Sequence, residues 1–125
     1  MAKTLKFSDA LAEYNAVMRD IAARKFAPIY LLSGDEGYFI DAICDALASS
    51  ILNEAERSFN QVTVYGPDSD TGKIVMLCRQ MPMMGSYQVV IVREAQQLNK
   101  IENLIHYTSN PQNSTILIIC YKNKE

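Results

Sequence analysis

The sequence predicts an α/β fold in three layers, a parallel sheet flanked by helices on both faces. Three observations carry the prediction. Short continuous apolar runs at residues 29–32 (IYLL), 88–92 (QVVIV) and 115–121 (TILIICY) read as strands buried on both sides. Between them lie longer stretches whose apolar residues recur at helical spacing. Strands alternating with helices give parallel pairing, because each crossover helix returns the chain to the same edge.

The elements follow in order. Residues 8–24 place Leu11, Tyr14, Met18 and Ile21 at helical spacing, with Ser8 as a candidate N-cap. Pro28 ends that segment, because proline disfavours helical geometry in the residue before it. The strand at 29–32 runs into Ser33-Gly34-Asp35-Glu36-Gly37. Ser33 and Glu36 have capping-box spacing, so a helix is expected to start near them, lined by Ile40, Ile43, Cys44, Leu47 and Ile51. Residues 59–65 (FNQVTVY) are β-branched and aromatic, and Gly66-Pro67-Asp68 stops them. Ile74, Leu77, Cys78 and Met81 then mark a helix that Pro82 terminates. After the strand at 88–92, Asn99 and Glu102 offer another capping box. Ile101, Leu104, Ile105 and Thr108 follow at helical spacing. The turn Asn110-Pro111-Gln112-Asn113 leads into the last strand. The expected order is α-β-α-β-α-β-α-β, one domain over residues 1–125. The chain stops just after an apolar strand that would need a further helix to cover it, so a piece of a longer protein is expected.

Composition narrows the function. Lys and Arg number 12 and Asp and Glu 14, a net charge of −2, which argues against a domain built mainly to grip nucleic acid or an anionic membrane. His106 is the only histidine, so chemistry needing two is excluded. Cys44, Cys78 and Cys120 sit apart in apolar runs and read as buried thiols of a reducing compartment. Together with His106 they lack the spacing of zinc ligands. The N-terminus has no apolar signal core, and no apolar run approaches the roughly 20 residues of a membrane span. A cytoplasmic location is expected.

The turn after the first apolar strand stands where a phosphate-binding loop would be. Such a loop needs GxxxxGK[ST]: glycines so that backbone N–H groups wrap the phosphates, a lysine on them, and a hydroxyl on Mg²⁺. Counting from Gly34, those last positions read Phe39, Ile40 and Asp41. Asp35 and Glu36 add negative charge that suits a helix N-terminus and opposes an anion. After the strand at 88–92, Arg93-Glu94 places a cation where a metal-binding aspartate would stand. Gly34, Asp35, Glu36 and Gly37 therefore form a degenerate loop not expected to bind phosphate, and no cofactor or metal is expected. Gly34 and Gly37 also lack dinucleotide-binding spacing.

Four of the six methionines, Met76, Met81, Met83 and Met84, fall within nine positions. Met81 continues the apolar helical face and is expected in the core. Met83 and Met84 follow Pro82 and precede Gly85. Two readings fit them: a cap folded back over the core, or an exposed apolar pair of the kind adaptable binding surfaces use. In a parallel sheet they would lie at the opposite edge from the Gly34 turn.

Three stretches in this order, 28–41 (PIYLLSGDEGYFID), 77–92 (LCRQMPMMGSYQVVIV) and 115–123 (TILIICYKN), make the chain resemble the N-terminal domain of the DNA polymerase III delta subunit family. The resemblance implies an AAA+-like ATPase fold that has lost its nucleotide site. It implies a subunit that binds the ring-shaped sliding clamp (the beta subunit) and helps open it for loading onto DNA. ATP hydrolysis would belong to other clamp-loader subunits (gamma/tau, beside delta prime). The family's clamp-binding element is a short glutamine-led segment ending in an apolar pair, before the third strand of the fold. Here it reads Arg79-Gln80-Met81-Pro82-Met83-Met84. Met83 and Met84 take the apolar pair. Arg79 stands where the family often has glutamine, with Gln80 one place later, which leaves the polar anchor open between them. The alternatives are a divergent nucleotide-binding ATPase and an α/β interaction module unrelated to replication.

Overall fold

A computed structural model describes residues 2–6, 10–34, 37–83 and 87–122, with side chains from residue 14 onward. The chain runs β1 (Ala2–Lys6), α1 (Ala10–Ala22), β2 (Ile29–Gly34), α2 (Gly37–Ser50), α3 (Glu54–Asn60), β3 (Gln61–Tyr65), α4 (Thr71–Cys78), β4 (Gln88–Arg93), α5 (Ile105–Ser109) and β5 (Thr115–Lys122). Short 3₁₀ turns lie at Gly66–Asp68, Ala95–Gln97 and Ile101–Leu104. The strands form one sheet in the order β1-β2-β5-β4-β3, every pair parallel.

The expected parallel three-layer architecture is present, and the alternation of each buried strand explains it. In β5, Ile116, Ile118 and Cys120 face one layer, with Val17 and Ile21 of α1 and Ile40, Ile43, Cys44 and Leu47 of α2. Leu117 and Ile119 face the other layer, with Ile74 and Cys78 of α4, Leu104, and Tyr107 of α5. A strand apolar at every position can be stable only when both its faces are covered.

Several expectations are corrected. β1 was not expected: its two lysines interrupt apolar patterning, as is common in edge strands, where charge discourages pairing with another chain. Ser8 lies outside the described residues. Ser33 is not a helix cap, since it pairs with Tyr121 inside the sheet, and Glu36 is outside the described residues. Phe59 and Asn60, read as strand, close α3 instead. That helix has little apolar periodicity, but it carries a complete capping box. The Glu56 N–H donates to Asn53 Oδ1 at 2.8 Å, and the Asn53 N–H donates to Glu56 Oε1 at 3.0 Å. Asn99 does not cap the segment at 101. Lys100 holds that place in a left-handed conformation, with no side-chain cap. The segment begins as a 3₁₀ turn with three residues per turn, so Leu104 and Tyr107 face inward and Ile105 is exposed.

Met81 is also not a core residue. Helix α4 ends at Cys78, so Met81 leaves the helical face and is 67% exposed.

Candidate functional site

The two edges of the sheet differ chemically. At the C-terminal edge, α2 leaves β2 toward one face while the segment after β4 leaves toward the other. The end of β5 lies between them, at the edge where α/β sheets bind ligands. Here charged side chains of the chain pair with one another. Lys122, paired with Gly34 across β5 and β2, runs its stem past Gly37, the first residue of α2. Its ammonium donates to Asp41 Oδ2 at 3.0 Å and lies 3.8 Å from Glu94. The hydrogen bond to Asp41 raises the Lys122 pKa above its ordinary range. Arg93 at the end of β4 donates to Asp45 at 2.9 Å and lies 3.8 Å from Asp41.

The predicted residues of the degenerate loop fall as follows. Gly34 adopts φ 147°, which side-chain-bearing residues rarely reach, so the turn itself requires this glycine. Gly37 opens α2 beneath the Lys122 stem. Asp35 and Glu36 lie outside the described residues. Ile40, where a phosphate-binding lysine would stand, is fully buried in the core. Asp41, at the hydroxyl position, holds Lys122.

The N-terminal edge carries the methionine segment. Arg79 follows α4 as its C-cap, and Arg79 to Met83 cross the surface toward β4. Met83 is 76% exposed and Met81 67%. Met84 lies outside the described residues. The Arg79 guanidinium stacks over the Tyr107 ring, 4.5 Å from its centroid. The Gln80 side chain is exposed, and no hydrogen bond ties it to a described residue.

The segment is fastened to its surroundings by groups the sequence reading passed over. The buried Thr115 hydroxyl donates to the Cys78 carbonyl at 2.6 Å, holding the last turn of α4 against the start of β5. Gln112 donates through Nε2 to Met81 Sδ at 3.2 Å, and its own backbone N–H donates to the Tyr107 hydroxyl at 3.1 Å. The Met83 N–H donates to Oδ1 of Asn60 at 3.1 Å. Asn60 is fully buried at the end of α3. The Asn53–Glu56 capping box was the available signal for it, because a helix starting at residue 54 puts Asn60 at a helix end rather than inside a strand.

All three cysteines are free and buried. Burial pushes the Cys78 thiol up to about 12, so it stays protonated at neutral pH, and burial likewise raises Tyr107 beside it. Among the described residues no cluster of three or more His, Cys, Asp or Glu could hold a metal ion. No described helix is long and apolar enough to cross a membrane.

The fold is thus a parallel α/β sheet flanked by helices, with ion pairs at its C-terminal edge and exposed methionines at the opposite edge. The family described as "DNA polymerase III, delta subunit" matches residues 30–125, and the chain belongs to it. The chain is similar in structure to the Bacillus subtilis DNA clamp loader delta protein (YqeN). The TM-score is 0.79 at 17% identity, with 89% of this chain and 36% of that chain covered. This chain therefore spans about a third of that protein. No curated protein sequence matches it.

Proposed function

We propose that this chain is the clamp-binding part of a clamp-loader delta subunit, and that it helps open the sliding clamp without hydrolysing ATP itself. The observation that carries this reading is the pair of exposed methionines, Met81 and Met83, on a segment fastened by hydrogen bonds at the sheet edge away from the ion pairs. An apolar side chain fixed in water gains free energy by entering a pocket, about 1.5–3 kcal/mol for each methionine fully buried. Met84, next in sequence, completes the apolar pair. Arg79 is already engaged with Tyr107 while Gln80 is open, which favours Gln80 as the polar contact. Ring opening follows only if the delta subunit binds the open clamp more tightly than the closed one, since a ligand shifts an equilibrium by its differential affinity.

The non-hydrolytic part of the reading is supported by Ile40, buried where a phosphate-binding lysine would stand, and by the Lys122 stem beside Gly37. Gamma/tau and delta prime would be partners of the full-length protein. Direct DNA contact by this part has little support in a net charge of −2.

The test is a binding titration of purified sliding clamp with the full-length protein. Met83→Ala combined with Met84→Ala is expected to weaken binding about a hundredfold, with Gln80→Ala weakening it more than Arg79→Ala. The melting temperature should stay within about 2 °C of the parent, because Met83 is exposed. Unchanged clamp affinity in the double variant overturns the site, and measurable ATP binding by calorimetry overturns the non-hydrolytic reading.

A further inference from the structure

The proposed clamp contact needs more than exposed thioethers. A methionine side chain has three rotatable bonds, and if its backbone were also free the ordering cost on binding would offset much of the burial gain. The described residues 79–83 belong to no strand, so contacts from other elements are what can fix Met83. Asn60 supplies such a contact. It closes α3, immediately before β3, and is fully buried, while Met83 lies 23 residues further along and is exposed.

We infer that Asn60 is a positioning residue for the clamp-binding segment, fixing the Met83 backbone through its Oδ1 so that the side chain is presented outward. The inference rests on the clamp-binding reading of Met83. A buried amide that hydrogen-bonds a surface segment has a definite energetic logic. Breaking the bond would cost a buried acceptor this contact, which favours holding the Met83 backbone in one place while its side chain is largely exposed. Gln112 acts alongside, holding Met81 by its sulfur. Asn60 is the stronger anchor, because it grips the backbone from a fully buried side chain, whereas the Gln112 contact is exposed.

The experiment uses the full-length protein and sliding clamp. In the parent, the Met83 amide should exchange with deuterium at least tenfold more slowly than expected for an exposed segment, despite its exposed side chain. Asn60→Ala is expected to remove that protection and weaken clamp binding about tenfold. In a Met83→Ala background, Asn60→Ala should cause little further loss, since it acts through Met83. An unprotected Met83 amide in the parent overturns the inference without any variant, so a poorly folding Asn60→Ala does not shield it. Full affinity in Asn60→Ala, with affinity lost in Met83→Ala, overturns the role of Asn60 and leaves the clamp site standing. Full affinity in Met83→Ala overturns the clamp reading itself.

Discussion

A Cβ on Gly66 would lie 2.1 Å from the Glu94 carbonyl oxygen and 3.1 Å from the Leu98 backbone nitrogen. Both neighbours are backbone, so neither can rotate away as a flexible side chain could. Gly66→Ala is therefore expected to destabilise the protein by about 2–4 kcal/mol, read as a lower urea midpoint with an unchanged m-value. The sequence marks Gly66 only as a strand stop, because the close approach comes from residues almost 30 positions away. Gly34 was legible as a turn glycine, and its φ of 147° shows that the turn needs it on backbone grounds alone. The methionines divide in the same way. Met83 was open to two readings from sequence, and its exposure favours presentation to a partner. The helical period carried past Cys78 predicts a core Met81, and the early end of α4 turns it outward.

At the scale of elements, α3 is the instructive case. Its residues offer no apolar stripe, since Glu54, Glu56, Arg57 and Ser58 are all polar, and hydrophobic periodicity was the signal used to find helices. The helix is specified by its ends instead. Asn53 caps Glu56, and Glu56 returns the bond to the Asn53 N–H. The Arg57 guanidinium reaches back to the Leu52 carbonyl at 2.8 Å. Asn53→Ala is expected to cost about 1 kcal/mol of stability, measured by chemical denaturation. Because α3 carries Asn60, a device that looks purely local supports the far end of the methionine segment. The last helix shows the converse. The helical spacing places Leu104 inside, as observed, but a 3₁₀ start rotates the face so that Tyr107 is buried in place of Ile105. That rotation places the Tyr107 ring under Arg79.

Over the whole molecule, several buried groups hold their protons beyond their ordinary range, and Cys78 is the clearest, raised by burial from 9.0 to about 12. Above pH 9 the unfolded chain releases this proton while the folded chain keeps it. Stability from this group is complete below pH 9 and is lost as the pH rises toward 12. Cys78→Ala should flatten the alkaline fall of the unfolding free energy across that window, whatever its effect at neutral pH, and a denaturation series against pH measures the slope. The strand pattern, the parallel sheet and the failed phosphate loop were all legible in sequence, because each depends on residues adjacent in the chain or on helical and strand periods. The position of β1, the ion pairs joining Lys122 to Asp41 and Arg93 to Asp45, and the grip of Asn60 on Met83 were not. Each joins residues tens of positions apart whose meeting is set by strand order. By itself the sequence determined the α/β class and the departure from the phosphate-loop motif at Phe39, Ile40 and Asp41. Only the tertiary structure decided which charges pair at the end of β5 and what holds Met81 and Met83, because a hydrogen bond or ion pair between distant residues exists only once the fold has brought them together.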